Sequence, residues 1–251
     1  MIISHRHKFI FVHLGRTAGR SVTQALIPLC GPEDVITKTE GFAQNADGYK
    51  RHMSAMEIRD RLGRDRFEAY FKFTIERNPW EKMLSRYRDY LNNPNKRSRK
   101  RYYKEIPRYV TGRPLNFQMW FELKLLQSRL LSLGHARFPK HYDSYVENGR
   151  MIVDLIARQE SLSEHMKAIG DRLSLNIPEL PRVGYHATAR DMRYTEYFTP
   201  RMRRVVERIY ERDLGLLGYR FGEPFPSDMI LREEHERRAD APLSRSGTAV
   251  T

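Results

Sequence analysis

Hydrophobic residues recur along the chain with two different spacings, and each spacing predicts a different secondary structure. Residues 8–14, 70–76 and 151–156 predict buried β-strands, because they are apolar throughout or alternate with a period of two. Residues 31–50 contain three glycines and little periodicity, so we expect a loop there. Spacings of three and four residues predict helices over 22–29, 54–63, 78–91, 116–133, 161–173 and 199–210. Strands and helices alternate, which predicts an α/β fold.

Four of the predicted helices begin with capping residues. Residues 54–57 and 161–164 have the serine-to-glutamate spacing of a capping box. Residues 78–79 and 199–200 combine an N-cap side chain with a proline at the first helical position. These signals fix where the helices start more closely than the hydrophobic pattern alone.

The composition narrows the class of protein. The chain has 251 residues, of which 40% are hydrophobic, and this suffices for one large domain. No stretch approaches the roughly eighteen consecutive apolar residues of a transmembrane helix. The apolar run 9–12 is too short for a signal-peptide core, and the single cysteine, Cys30, excludes an internal disulfide. We therefore expect a cytoplasmic protein.

The charge of the chain predicts an affinity for polyanions. Lysine and arginine outnumber aspartate and glutamate by 45 to 31, which gives a net charge of +14. Nucleic acid, acidic polysaccharide, anionic lipid and a charged nucleotide all fit this surplus. Residues 96–104 hold six cations in nine positions, a density that suits a solvated loop as well as a polyanion contact.

The first chemical motif is a buried strand that runs into a glycine-containing turn and then a helix. Backbone N–H groups at a helix N-terminus bind anions, and a glycine allows close approach of the main chain. Two hydroxyls and two arginines add donors and charge. The spacing is one residue short of a nucleotide-triphosphate P-loop, and an arginine replaces its lysine. The predicted anion-binding residues are Gly15, Arg16, Thr17, Ala18, Gly19, Arg20 and Ser21.

A second strand, turn and helix follows over residues 71–87. Arg77 stands at the end of the strand, and Ser85 lies two turns into the helix. In a parallel sheet both turns lie at the carboxyl edge, where ligands bind. The chain therefore offers two anion sites on one edge, which suits a ligand with phosphates at both ends.

Together the two motifs resemble those of the 3′-phosphoadenylyl-sulfate (PAPS)-dependent sulfotransferases, especially the carbohydrate-type family. Residues 15–21 are similar to the family's loop for the 5′-phosphosulfate, and residues 77–87 to its segment for the 3′-phosphate. The likeness extends over residues 8–221. It implies a three-layer α/β domain with a central, mostly parallel sheet and a P-loop-like, phosphosulfate-binding strand, turn and helix.

The resemblance also assigns residues and boundaries. It implies a sulfotransferase domain over residues 1–222. The composition turns polar and mixed in charge over 223–251, so we expect an extension that is disordered from about residue 240. The resemblance further implies that Thr188 and Arg190 contact the nucleotide. The cofactor is then PAPS, the product is adenosine 3′,5′-bisphosphate (PAP), and no metal is required.

One departure from the family concerns catalysis. Arg16 stands where the family has a lysine that stabilises charge on the leaving phosphate and the moving sulfuryl group. An arginine supplies the same charge but does not donate its proton, so we expect an electrostatic role.

A base must also deprotonate the acceptor hydroxyl. The context of His52 is similar to the segment with the catalytic histidine in uronyl 2-O-type relatives, so Arg16 and His52 are the predicted catalytic residues. His13, Glu57 and His141 are the alternative bases.

Two other functions compete with sulfuryl transfer. In a P-loop kinase, residues 151–154 would form a strand whose final aspartate binds magnesium. A kinase does not require the motif that contains Arg77, however, so this motif argues against it. A nucleic-acid binder would use the charge and the 96–104 segment, yet the chain has none of the expected recognition motifs. We therefore predict a sulfotransferase that acts on a hydroxyl of a glycan or glycosylated small molecule, with no membrane span and no specific nucleic acid. The acceptor and the oligomeric state are not determined by the sequence.

Overall fold

The structure is a computed structural model that describes residues 1–39, 42–92, 115–130, 138, 140–181 and 194–240. Its strands are β1 (Ile2–Ser4), β2 (Phe9–Val12), β3 (Val35–Thr39), β4 (Phe42–Gln44), β5 (Phe71–Glu76), β6 (Val146–Glu147), β7 (Arg150–Met151), β8 (Leu155–Arg158) and β9 (Ile230–Leu231). Its α-helices are α1 (Gly19–Leu26), α2 (Ala55–Leu62), α3 (Arg64–Ala69), α4 (Pro79–Asn92), α5 (Phe117–Leu130), α6 (Leu162–Leu173), α7 (Pro200–Ile209), α8 (Glu211–Leu217) and α9 (Arg232–Asp240). Short 3₁₀ helices cover Ile27–Leu29, Tyr142–Ser144 and Tyr194–Tyr197.

A seven-stranded sheet in the order β4-β3-β1-β2-β5-β8-β9 forms the centre of the protein. Three adjacent strands, β2, β5 and β8, are parallel, whereas the strands on either side of them pair antiparallel. The α/β fold with parallel strands at its centre is therefore confirmed. The parallel strands matter most for function, because their carboxyl ends meet at one edge.

Hydrophobic side chains pack on both faces of this sheet. Helices α1 and α6 cover one face, where Val22, Phe73 and Met166 belong to one buried cluster. The other face lies beneath α2, α3, α4, α5, α7 and α8, and its larger cluster includes Ile10 and Trp80. Helix, sheet and helix make three layers, as predicted.

Two expectations about strands were wrong. Residues 31–50 include β3 and β4, where Val35 and Ile36 are buried beside β1. Strands β3 and β4 are stabilised by pairing with β1 and with each other, and the mixture of glycine, polar and apolar residues around them gives no periodic signal. The strand expected over 151–156 is divided: β7 pairs with β6 in a separate hairpin, and the strand of the main sheet starts only at Leu155. Met151 and Val153 are buried outside the main sheet, so their hydrophobicity misled the strand assignment.

Helix starts follow the capping signals in most cases. The capping box at α2 is confirmed, since Ser54 Oγ accepts from Glu57 N and the Glu57 carboxylate accepts from Ser54 N. Thr199 caps α7 by accepting from Met202 N. Helix α6 begins where predicted, but the Ser161 side chain makes no capping hydrogen bond.

The C-terminal part of the described chain returns to the sheet. Strand β9 pairs antiparallel with β8, and α9 follows it directly. The proposed boundary at residue 222 stays a prediction. The basic segment 96–104, the predicted nucleotide contacts Thr188 and Arg190, and the expected tail from residue 241 onward lie outside the described residues.

Candidate active site

The two predicted anion-binding turns lie side by side. Strands β2 and β5 are neighbours in the sheet and run parallel, with Val12 opposite Thr74. The Thr74 hydroxyl donates to the Val12 carbonyl at 2.8 Å, which ties the ends of the two strands together. The turn after β2 and the turn after β5 therefore open at the same edge of the sheet.

The turn after β2 leaves the start of α1 without a side-chain cap. Its N-cap residue is Ala18, which provides no hydrogen-bonding side chain, and the first turn of α1 contains no acidic residue. Arg16 and Ala18 have φ angles of 70° and 58°, in the left-handed region that non-glycine residues seldom occupy. Strained backbone of this kind is concentrated at ligand sites. An uncapped helix start in such a loop is suited to an anion.

The two glycines of this turn have different roles. A Cβ atom on Gly15 would meet no other atom within 4 Å, so the space beside it is open. A Cβ on Gly19 would lie 2.2 Å from the His13 ring, too close for any side chain. Gly19 is thus required by the packing of His13 against the main chain, in addition to the ligand approach expected from the sequence.

The side chains of the first turn divide into inward and outward groups. Thr17 is buried, and its hydroxyl donates to the Leu14 carbonyl at 3.1 Å, which braces the turn internally. Ser21 is buried near the start of α1, whereas Arg20 is exposed. Arg16 is partly exposed and forms an ion pair with Asp89 of α4.

The turn after β5 is filled by its own side chains. Asn78 Oδ1 accepts from the N–H groups of Trp80 and Glu81, at 3.0 and 3.2 Å, as expected for an N-cap. The Asn78 N–H donates to Glu160 Oε1 at 2.8 Å. Glu160 follows β8, so the third parallel strand stabilises the second turn.

Arg77 is buried, and its guanidinium contacts an acidic neighbour. Its Nη2 and Nε atoms lie 2.6 and 3.2 Å from Glu81 Oε2, one helical turn further along. Only 7% of the Arg77 side chain is exposed. Ser85, the other residue predicted at this turn, is also buried. Arg77 is thus held in place by Glu81, and Ser85 belongs to α4 itself.

A buried charge network lies behind the second turn. The Glu76 carboxylate accepts from Lys82 Nζ at 2.7 Å and from the Arg77 backbone N–H at 3.1 Å, and it lies 3.2 Å from His141 Nδ1. Burial by itself would raise the pKa of Glu76, but Lys82 and His141 outweigh it and lower this pKa to about 2. Burial raises the pKa of the nearby Asp213. Glu76 is therefore ionised.

The two histidines near the first turn contact each other. The His13 and His52 rings meet edge to face with centroids 4.9 Å apart, and His52 Nδ1 lies 2.9 Å from the His13 carbonyl oxygen. Because a carbonyl only accepts, Nδ1 bears the proton and Nε2 keeps its lone pair. Desolvation, followed by charges that include Arg51, lowers the pKa of His52, although the hydrogen bond to His13 opposes this.

The other candidate bases have identified partners. Burial lowers the pKa of His13 well below its ordinary value, and its ring packs on Gly19. The Glu57 carboxylate caps α2, and His141 belongs to the buried network with Glu76. Asp154, the magnesium ligand of the kinase alternative, precedes β8 and thus lies at the edge opposite the two turns, 3.1 Å from Lys72 Nζ.

Four carboxylates of the site were not among the predicted residues. Glu81 stands four residues after Arg77, and this spacing is visible in the sequence as a helical ion pair. Glu76, Asp89 and Glu160 meet their partners across the fold, so no local pattern indicates them.

No described helix is long and apolar enough to cross a membrane. Within the same residues, no group of three or more His, Cys, Asp or Glu side chains is arranged to hold a metal ion. The metal-free reaction stays a prediction.

The architecture defines an α/β protein with two turns at one edge of its parallel strands, and comparison with known proteins gives its family. Residues 1–220 match the model of the sulfotransferase family. A protein of Archaeoglobus fulgidus described as uncharacterized is 30% identical over 123 residues, which is 49% of this chain and 83% of that protein. No solved structure matches the chain. The chain belongs to the sulfotransferase family, and its class of chemistry is sulfuryl transfer.

Proposed function

We propose that this protein transfers a sulfuryl group from PAPS to a hydroxyl of a glycan or glycosylated small molecule in the cytoplasm. In this proposal, residues 15–21 bind the 5′-phosphosulfate, and Arg77 and Ser85 bind the 3′-phosphate. Thr188 and Arg190 are proposed as further nucleotide contacts.

The observation that supports this donor is the pairing of β2 with β5. Each strand is followed by a turn with an arginine and then by a helix, and the parallel register brings both turns to one edge. A nucleotide with anionic groups on both its 5′ and 3′ positions can contact the two turns together. A ligand with a single phosphate group would use only one of them.

The first turn fits the phosphosulfate by its backbone. The start of α1 has neither a side-chain cap nor an acidic first turn, and the space beside Gly15 is open. These features leave N–H donors for oxyanions and room for the group that presents them. Arg16 adds a positive charge at the same place.

When bound, PAPS supplies the activated sulfuryl group, and the residues of this chain supply charge and a proton acceptor. Arg16 stabilises negative charge that develops during transfer, since a preorganised cation needs no rearrangement at that moment. Its guanidinium stays protonated, so it acts by charge alone.

His52 is the proposed base. Its Nδ1–H is held by the His13 carbonyl, which fixes the tautomer and leaves Nε2 to accept the proton of the acceptor hydroxyl. Because its pKa is lowered, the imidazole is neutral near pH 7 and ready to accept. His13, Glu57 and His141 are each engaged elsewhere, which favours His52 among the four.

Ligand-dependent thermal unfolding tests this function against its alternatives. We expect PAP to raise the midpoint of unfolding, ATP with magnesium to leave it unchanged, and duplex DNA to act only at low salt. Stabilisation by ATP with magnesium but not by PAP would overturn the proposal in favour of a kinase.

Mass spectrometry of products then addresses the acceptor. The protein is incubated with PAPS and a panel of saccharides, glycosides and simple alcohols. We expect the mass increase of one sulfuryl group on a saccharide-containing acceptor. Transfer confined to alcohols without a sugar would contradict the glycan assignment while leaving the donor assignment intact.

A further inference from the structure

Helix α4 provides one carboxylate to each of the two turns. Glu81 pairs with Arg77 of the second turn, and Asp89 pairs with Arg16 of the first. The first of these pairs is local, since Arg77 and Glu81 are four residues apart. The second joins two separate elements and determines where a side chain of the first turn points.

We propose that Asp89 is a positioning residue that holds the Arg16 guanidinium in the orientation needed for sulfuryl transfer. The inference rests on the proposed function and adds to it a residue outside both motifs. Asp89 acts through Arg16 and does not touch the nucleotide or the acceptor.

The backbone of Arg16 gives the first reason. Its φ of 70° places a non-glycine residue in the left-handed region, which is disfavoured and persists only where the surroundings enforce it. The loop beside it is open at Gly15, so neighbouring loop residues do not enforce it from that side. The ion pair to α4 links this strained residue to a long helix packed in the core.

The chemistry of the guanidinium gives the second reason. Asp89 engages Nη2, and within the described part of the chain no second ion pair or hydrogen bond holds the Arg16 guanidinium. Nε and Nη1 therefore stay available to an oxyanion while Nη2 is held. An arginine can bind a carboxylate and a phosphate at the same time through its planar fork, whereas a lysine presents one point charge. A lysine at position 16 has no planar fork and could not bind Asp89 and an oxyanion in this way.

The partial exposure of the Arg16–Asp89 pair means that its loss should affect the orientation of Arg16 more than the stability of the fold. About 29% of the Arg16 side chain and 32% of the Asp89 side chain are exposed. Ion pairs with this exposure contribute little to folding stability. A large effect of Asp89 on turnover would therefore reflect the orientation of Arg16 rather than the integrity of the fold.

A double-mutant cycle tests the inference. Asp89→Asn should lower kcat by about 10- to 100-fold, as expected for a misplaced catalytic group. The affinity for PAP should change far less, because the main-chain donors of the first turn and the second turn still hold the nucleotide. In an Arg16→Ala background the same change should have no further effect on kcat, because its target is gone. Asp89→Glu should restore most of the turnover.

Glu81→Gln is the matched control on the same helix. We expect it to alter PAP affinity through Arg77, and this effect should persist in the Arg16→Ala background and vanish in the Arg77→Ala background. The effect of the Asp89 substitution should thus require Arg16, and the effect of the Glu81 substitution should require Arg77.

The outcomes separate the inference from the function on which it rests. A wild-type protein that neither binds PAP nor shows PAPS-dependent turnover would overturn the proposed function, and the role of Asp89 with it. An active wild type in which Asp89→Asn and Arg16→Ala have additive effects would overturn the role of Asp89 alone. Faster turnover in Asp89→Asn would also overturn it, because Asp89 would then compete with the phosphosulfate for Arg16.

Discussion

The turns after β2 and β5 have the same topology, but they differ in how they hydrogen-bond the free N–H groups at the start of the following helix. At the first turn, the N-cap is Ala18 and no side chain accepts from the start of α1. At the second, Asn78 accepts from two backbone N–H groups of α4, and its own N–H donates to Glu160. The main-chain donors at the first turn have no side-chain acceptor, whereas those at the second turn are used within the protein.

The arginines of the two turns differ in the same sense. Arg16 is partly exposed and is held by Asp89 from another element, whereas Arg77 is buried and is held by its neighbour Glu81. We therefore expect the first turn to recognise its anion through main chain and charge together. The second turn should rely on side chains alone, principally Arg77 and Ser85. This difference suggests that chemistry occurs at the first turn and anchoring at the second.

His52, beside the first turn, should have the largest effect on turnover. Replacement by alanine removes the base, so we expect His52→Ala to lower kcat by about 10²–10⁴. Calorimetry should show nearly unchanged PAP affinity, since the histidine has no reason to contact the nucleotide. Intact turnover with lost PAP binding would instead make His52 an anchoring residue, and the base would be sought among His13, Glu57 and His141.

The pH dependence of the wild type sharpens this assignment. A lowered pKa means that His52 stays neutral below the ordinary histidine value of 6.5. Turnover should therefore be maintained at pH 6.5 and decline only at lower pH, as the imidazole becomes protonated and stops accepting. The residual activity of His52→Ala should lack this decline. A decline centred above pH 6.5 would contradict the environment described for His52.

Glu76 should have the largest effect on stability, because it supports the second turn from inside the core. Glu76→Gln leaves Lys82 without its closest carboxylate, and breaking a buried pair in this way typically destabilises a protein by about 3–5 kcal/mol. Urea denaturation at pH 7 measures the change. A loss below about 1 kcal/mol, the usual range of exposed pairs, would show that the network is not important for stability.

The sign of the pH effect at Glu76 follows from its lowered pKa. The pKa is about 2 in the folded protein against an ordinary value of 4.5, so its contribution is fully present above pH 4.5. That contribution is lost as the pH falls from 4.5 towards about 2. The difference in unfolding free energy between the wild type and Glu76→Gln should therefore shrink over this interval.

Arg16 should affect turnover next most strongly. Arg16→Ala removes a preorganised charge and should lower kcat by about 10²–10³, whereas Arg16→Lys should retain much of the turnover. Equal losses in the two variants would mean that the guanidinium shape matters as much as its charge. Unchanged turnover in the alanine variant would remove Arg16 from the mechanism.

The parts of this protein that could be predicted from sequence are those with local causes. The box of Ser54 with Glu57 and the cap at Asn78 are encoded within four residues, and both form as expected. The parallel centre followed from apolar strands that precede helices. Strands β3 and β4 were not expected, because short strands outside the parallel centre are stabilised by neighbours that are distant in sequence.

In the candidate site, too, the features with local causes were predicted and the contacts between distant residues were not. The two motifs were recognised because each is continuous in sequence. The pairing of Arg16 with Asp89, and of Glu76 with Lys82 and His141, depends on how α4 packs against both turns and the chain beyond it. No spacing in the sequence encodes these contacts, so the partner of Arg16 and the buried network behind the second turn became visible only in the fold.

Substitution of Arg77 should have the smallest effect, and it should change the affinity for PAP. If its guanidinium holds the 3′-phosphate, Arg77→Ala should lose about 1.5–3 kcal/mol of PAP affinity, the usual contribution of a charged hydrogen bond. AMP lacks that phosphate, so its affinity should change far less. Because the alanine variant also leaves Glu81 unpaired, Arg77→Lys serves as a control that keeps a cation beside this carboxylate while losing the fork. Calorimetry with both nucleotides on both variants gives the comparison. Equal losses for PAP and AMP would show that Arg77 does not bind the 3′-phosphate. The second turn would then have a structural role and would not anchor the nucleotide.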